Sequence, residues 1–220
     1  MAIKNCLFDW SGTLVDDFLK VYKATALAFR GQGLKAISLN RFSREFKLPY
    51  MDFWHKYLPN MTPAEEKIAF LSAWDTLKPS QLFPFVHLTL SVLRGRKINL
   101  VLFSSHDQDR LEKEVKFFGL EGFFREINGS VLNKVAAIKS VLVRNNFAAE
   151  ETMFIGDMTH DIEAGHAAGI VACAIVNQEA KFLYETMGKI LRAYPDYLIN
   201  DIRGAVGLSS FARKKRKIKI

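Results

Sequence analysis

Short apolar runs that end in polar turns alternate along this chain with stretches whose apolar residues recur three and four positions apart. The run from Ile3 to Phe8, interrupted by Lys4 and Asn5, reads as a buried strand that stops at Asp9. INLVLF (98–103), TMFIGD (152–157), IVACAIV (170–176) and the short YLI (197–199) read as further strands. PFVHLTLSVLRGRK, HDQDRLEKEVKFFGL, NKVAAIKSVLVRNNF and DIEAGHAAG carry the helical period between them. Strands separated by helices imply a mainly parallel sheet covered on both faces.

The texture differs after the first strand. In DDFLKVYKATALAFRGQG the residues Phe18, Val21, Tyr22, Ala26 and Phe29 share one helical face, and Gly31 and Gly33 form a stop signal. LNRFSREFKLPYMDFWHKYL and TPAEEKIAFLSAWDTL give at least two more amphipathic helices. The latter is opened by Thr62 and Pro63, with Glu65 placed for a capping box. The expected architecture is α/β: a three-layer, Rossmann-like parallel sheet core with a small all-helical cap inserted after the first strand. Residues 1–15 and 84–212 form the core, 16–83 the cap and 213–220 a basic C-terminal tail. Phe46, Phe53, Trp54, Tyr57, Phe70 and Trp74 are expected to form the cap's own core, with some facing a substrate.

At 220 residues and 49% hydrophobic content the chain can bury a sizeable core. Its net charge of +8 invites a nucleic-acid reading, but six of those charges come from FARKKRKIKI at the C-terminus, which leaves a nearly neutral body. A nucleic-acid partner is therefore not expected. Cys6 and Cys173 each sit inside an apolar run, which suits buried thiols in a reducing compartment. No run approaches the ~18 apolar residues of a membrane span, so a soluble, cytoplasmic protein is expected.

Three strands end in polar residues: Asp9, the pair Ser104 and Ser105, and Gly156-Asp157. In a parallel sheet these ends converge on one edge, where α/β proteins bind ligands. Asp157 and Asp161, four apart at a strand-to-helix transition, would join Asp9 in a cluster of three acids. Such a cluster repels itself unless a hard divalent cation lies within it, and oxygen donors suit magnesium. A turn followed by a helix cap accounts equally well for Asp157 and Asp161 taken without Asp9.

FDWSGTL (8–14), the serine closing INLVLF, Lys134 before a helix and GDMTHD (156–161) together resemble the four ordered motifs of the haloacid dehalogenase superfamily. GDMTHDIEAGHAAGI is similar to the form common in its phosphoglycolate-phosphatase-like branch, whose members carry a helical cap. The resemblance implies a hydrolase of phosphoric monoesters. It casts Asp9 as the nucleophile that becomes an aspartyl-phosphate, with Asp9, the Ser11 carbonyl, Asp157 and Asp161 around magnesium. Ser104 and Ser105 would bind the phosphate of a small phosphorylated substrate, and Lys134 would neutralise charge on Asp9 and that phosphate. Lys139 is the second candidate for the lysine role.

Ser11 departs from the family pattern, which usually has an acid two residues after the nucleophile. Serine keeps a main-chain carbonyl for the metal but exchanges no proton near neutral pH. The missing acid/base lowers hydrolysis by ~10²–10⁴-fold unless another group, such as His106, Asp16 or Asp17, replaces it. Turnover is therefore expected to be slow. Two other readings stay open. DWSGT also resembles the DWAGT form of phosphonoacetaldehyde hydrolases, with Lys47 as the Schiff-base candidate. A non-catalytic binding module of the same fold is the other. Arg41, Arg44, Lys47, Tyr50 and His55 are the exposed cap residues available to select a substrate.

Overall fold

The computed structural model describes residues 2–210. Its centre is strand β1 (Asn5–Asp9), all five residues of which are buried. Next come a two-residue strand β2 (Val15–Asp16) and four helices: α1 (Phe18–Gly31), α2 (Leu39–Glu45), α3 (Tyr50–His55) and α4 (Pro63–Asp75). Strand β3 (Gln81–Leu82) closes the insertion by pairing antiparallel with β2. The rest runs α5 (Val86–Gly95), β4 (Asn99–Phe103), α6 (Gln108–Phe117), β5 (Glu126–Asn128), α7 (Lys134–Asn145), β6 (Thr152–Gly156), α8 (Thr159–Ala167) and β7 (Val171–Ile175). It ends with α9 (Met187–Arg192), β8 (Tyr197–Ile199) and α10 (Gly204–Leu208).

Six strands form one sheet in the order β5-β4-β1-β6-β7-β8, every pair parallel. Side chains alternate between its two faces, as the two-residue period of a strand requires. Cys6, Phe8, Leu100, Leu102, Met153 and Ile155 pack on one face against Leu90 of α5 and Leu111 of α6. Leu7, Val101, Phe103 and Phe154 pack on the other, against Ile138 and Val141 of α7. Burying each large apolar side chain stabilises by ~1.5–3 kcal/mol. With β4 and β6 on either side, β1 has no free edge, and Asp9 rides on the most enclosed strand.

The α/β class, the parallel sheet and the helical insertion agree with the expectation from sequence. Of the two stretches expected to give at least two helices, the segment 39–58 holds two by itself. Pro49 supplies no N–H and disfavours helical backbone at Leu48, so α2 ends at Glu45 and α3 starts at Tyr50. Thr62 and Glu65 form the capping box expected at the start of α4. Among the aromatic residues of the helical insertion, Phe53, Trp54 and Trp74 are buried in one cluster with Phe29 and Phe42, and Phe46, Tyr57 and Phe70 pack against it partly buried. The basic tail lies outside the described residues. Among them, no helix is long and apolar enough to cross a membrane.

Candidate active site

Because β4, β1 and β6 are adjacent and parallel, their C-terminal ends line one edge of the sheet. Asp9 closes β1, Ser104 follows β4, and Asp157 follows β6. Lys134 is the first residue of α7, and Asp161 lies in the first turn of α8. All five side chains are buried. Ser105, half-buried, lines the same cavity as Asp9, Ser11, Ser104 and Lys134.

Two glycines let the acids approach. Gly12 has φ +73°, and a Cβ there would come within 2.2 Å of an Asp157 carboxylate oxygen. A Cβ on Gly156 would come within 2.4 Å of the Asp161 carboxylate. Asn177 braces the turn after β1, its side-chain amide donating to the Gly12 carbonyl at 2.7 Å. Thr13 Oγ1 donates to Asp157 Oδ1 at 3.3 Å.

Lys134 Nζ reaches both Asp9 Oδ1 and Asp161 Oδ1 at 2.5 Å. Burial alone would lower the lysine's pKa, but Asp161 and Asp9 outweigh it and hold the ammonium charged. Burial likewise opposes ionisation of Asp161, yet His160 and Lys134 keep its carboxyl below the usual range. Burial pushes Asp9 up to about 7, against the pull of Lys134. Asp157 is raised well above the ordinary carboxylate value by burial and by the charges of Asp9 and Asp161. Asp157 Oδ2 is buried with no hydrogen-bond partner. Ligand oxygens of Asp9, Asp157 and Asp161 all lie within 4.8 Å of one another. An orphaned carboxylate oxygen beside two further carboxylates fits a hard divalent cation, which would reverse the upward shifts. Replacing Lys134 by Met leaves Asp9 and Asp161 uncompensated, and the expected loss is ~3–5 kcal/mol of folding stability. Urea denaturation with and without magnesium checks it, with magnesium restoring part of the loss.

Ser11 is half-buried, and its hydroxyl donates to Asp17 Oδ2 at 2.7 Å and lies 2.9 Å from His106 Nε2. Burial, opposed by the Ser11 hydrogen bond, raises Asp17 to about 7. Tyr184 donates to its other oxygen at 3.0 Å. Burial and the neighbouring Arg110 lower His106, which stands 3.6 Å from Glu114 through Nδ1. Trp10 Nε1 donates to the same Glu114 oxygen at 2.8 Å. The residue that lacks an acid is thus flanked by one. Ser104 Oγ accepts the His106 backbone N–H at 3.0 Å, which fixes the hydroxyl at the loop before α6.

Other candidates lie apart. Lys139 is exposed on α7. Lys47 is mostly exposed, pairs with Asp52 at 3.3 Å and does not line the cavity, so nothing supports a Schiff-base role for it. Of the five cap residues proposed to select substrate, Tyr50 alone lines the cavity. Sequence reasoning passed over Asn177, Tyr184, Glu114 and Glu66. Asn177 had a readable signal, a polar residue just past the strand IVACAIV. The other three sit in helices or loops with no spacing that marks them.

The family described as haloacid dehalogenase-like hydrolase matches residues 6–175, from within β1 to the end of β7. The chain belongs to this family. It is a hydrolase of the phosphoglycolate phosphatase and PpaX-like branch. The phosphoglycolate phosphatase of Synechococcus elongatus is 28% identical over 127 residues, which are 57% of this chain and 58% of that protein. The pyrophosphatase PpaX of Oceanobacillus iheyensis is 26% identical over 227 residues, 96% of this chain and 100% of that protein. A haloacid dehalogenase-like hydrolase of Streptococcus pneumoniae has a similar fold, with a TM-score of 0.78 at 21% identity over 93% of this chain and 97% of that one. A family hydrolase of Deinococcus radiodurans with bound phosphate and sodium gives a TM-score of 0.73 at 16% identity, covering 94% of this chain and 96% of that one.

Proposed function

We propose that this hydrolase is a magnesium-dependent phosphatase that acts on a small phosphorylated metabolite through an aspartyl-phosphate on Asp9. The observation that carries this reading is the ammonium of Lys134 bridging Asp9 and Asp161 beside the partnerless Asp157 oxygen. One corner of that cluster is built for a cation, and the neighbouring Ser104 and Lys134 face the cavity that would receive an anion. Asp9, Asp157, Asp161 and the Ser11 carbonyl would hold magnesium, which supplies electrostatic relief for the approach of a phosphate to a carboxylate.

Asp9 attacks phosphorus, and the bond to the leaving oxygen breaks with its electron pair on that oxygen. Lys134 stays hydrogen-bonded to Asp9 and neutralises charge on the transferring group, while Ser104 and Ser105 orient its oxygens. Water then attacks the same phosphorus, which releases inorganic phosphate and restores the carboxylate. Its lost proton must pass to a base, and Ser11 is none; Asp17 and His106 stand one hydrogen bond behind it. We assign residues 16–83 as the cap, because Phe46, Trp54 and Phe70 of the insertion wall the cavity opposite Asp9. The protein fits a reducing cytoplasm, since Cys6 and Cys173 are free and buried.

Purified protein is expected to hydrolyse p-nitrophenyl phosphate slowly with magnesium and to stop on chelation, recovering when magnesium is returned. Turnover that persists in excess chelator contradicts the reading.

A further inference from the structure

The cavity over Asp9 has a volume of about 390 Å³, within the ~300–1,000 Å³ range of sites for organic ligands. A two-carbon acid such as phosphoglycolate would leave much of it unfilled. The insertion walls it mainly with Val21, Phe46, Leu48, Trp54, Phe70 and Leu71, and adds the polar Thr25, Tyr50 and Lys67. Among these stands one acid, Glu66, in the first turn of α4, lining the cavity and only 6% exposed. No hydrogen bond or ion pair to its carboxylate is found among the described residues, and burial pushes it up to about 7 against the pull of the Arg110 charge.

The helix start does not require Glu66, because Glu65 already completes the capping box with Thr62. The cations near it are engaged. Arg110 donates to Glu114 at 3.2 Å and lies 3.5 Å over the Trp74 ring, and Lys67 pairs with Asp107 at 2.5 Å. Both also line the cavity, so an incoming carboxylate or second phosphate would compete with Glu114 and Asp107 for these cations and would meet the Glu66 carboxylate besides. A buried carboxyl without a partner is costly, and a ligand that supplies a donor removes that cost.

We infer that Glu66 selects the substrate: the organic part is largely apolar and carries a hydrogen-bond donor, an ammonium or a hydroxyl group, that docks on its carboxylate. This rests on the phosphatase reading of the same cavity. It also separates the chain from relatives named for phosphoglycolate and pyrophosphate, whose non-transferred ends are anionic.

The test compares kcat/KM for 4-methylbenzyl, 4-(hydroxymethyl)benzyl and 4-(aminomethyl)benzyl phosphate, which differ only in the terminal group, and for phosphoglycolate. The wild type is expected to prefer at least one donor-bearing ester over the methyl ester by about 10–100-fold, and to use phosphoglycolate less well than either. Glu66→Leu should collapse that preference to within about threefold. Glu66→Gln, close to isosteric, keeps a carbonyl acceptor and should retain the preference for hydroxyl while losing that for ammonium, which tells the two donors apart. Wild-type enzyme that hydrolyses the methyl ester as well as both donor esters overturns the inference without any variant, as does a folded Glu66→Leu enzyme that keeps the preference. Absence of magnesium-dependent turnover on every ester overturns the phosphatase reading, and this inference with it. Turnover without preference overturns the inference alone.

Discussion

Asp9→Asn is expected to lower magnesium-dependent hydrolysis of p-nitrophenyl phosphate by about 10³-fold or more while the protein stays folded. An amide has nearly the shape of the carboxylate but cannot donate the electron pair that would bond to phosphorus. The fold should tolerate it. Asp9 lies buried at the end of the central strand, where burial already favours its uncharged form. The amide oxygen can still accept from Lys134, which keeps its second partner at Asp161. A far-ultraviolet spectrum and a urea midpoint near those of the wild type would assign the lost activity to chemistry. A folded Asp9→Asn protein that retains more than a tenth of the activity would remove Asp9 from the reaction.

Ser11→Asp is expected to raise turnover by about 10–100-fold, a conservative share of what a positioned acid/base contributes. The new carboxyl would enter the place where the Ser11 hydroxyl meets Asp17 and His106. Two carboxyls in contact there cannot both ionise easily, so one keeps a proton near neutral pH. That is what protonation of a leaving oxygen requires, and the same group can then accept a proton from water. Pre-steady-state kinetics on p-nitrophenyl phosphate should place the gain mainly in loss of phosphate from Asp9, since nitrophenolate leaves without help. If the variant folds and its rate is unchanged or lower, the Asp17 and His106 pair already handles the proton and Ser11 belongs to that device.

Much of this was legible because strong hydrophobic runs and abrupt polar ends coincide. Asp9, Ser104 and Asp157 each terminate a strand that is buried on both faces, so pattern and position could be read together. Lys134 could be separated from Lys139 because one starts a helix and the other lies beyond its first turn. Less was readable where three-dimensional context overrides local pattern. Strand β5, three half-buried residues, lies in FFREIN without alternation and forms only by pairing with β4. The two-residue strands β2 and β3 exist only through each other. Helices α9 and α10, six and five residues long, have too few positions to set a period.

The site divides the same way. The residues proposed to hold the metal and the phosphate fall in ordered motifs, each at the end of a strand or the start of a helix. Of the surroundings of Ser11, Asp17 and His106 were expected as candidates from their nearness to the first two motifs, whereas Glu114 of α6 and Tyr184 of the loop before α9 were not. No spacing along the chain relates them. Glu66 is hidden for another reason: a glutamate in the first turn of a helix is ordinary, and only its burial against an apolar wall sets it apart.

The most direct measurement is mass spectrometry of enzyme quenched in acid within milliseconds of mixing with magnesium and p-nitrophenyl phosphate. The expected result is a phosphoryl group on the peptide carrying Asp9, labile to hydroxylamine, absent without magnesium and absent from Asp9→Asn. It should accumulate more in the wild type than in Ser11→Asp. Hydrolysis that proceeds with no phosphoryl group on Asp9, or with one on another residue, would contradict it.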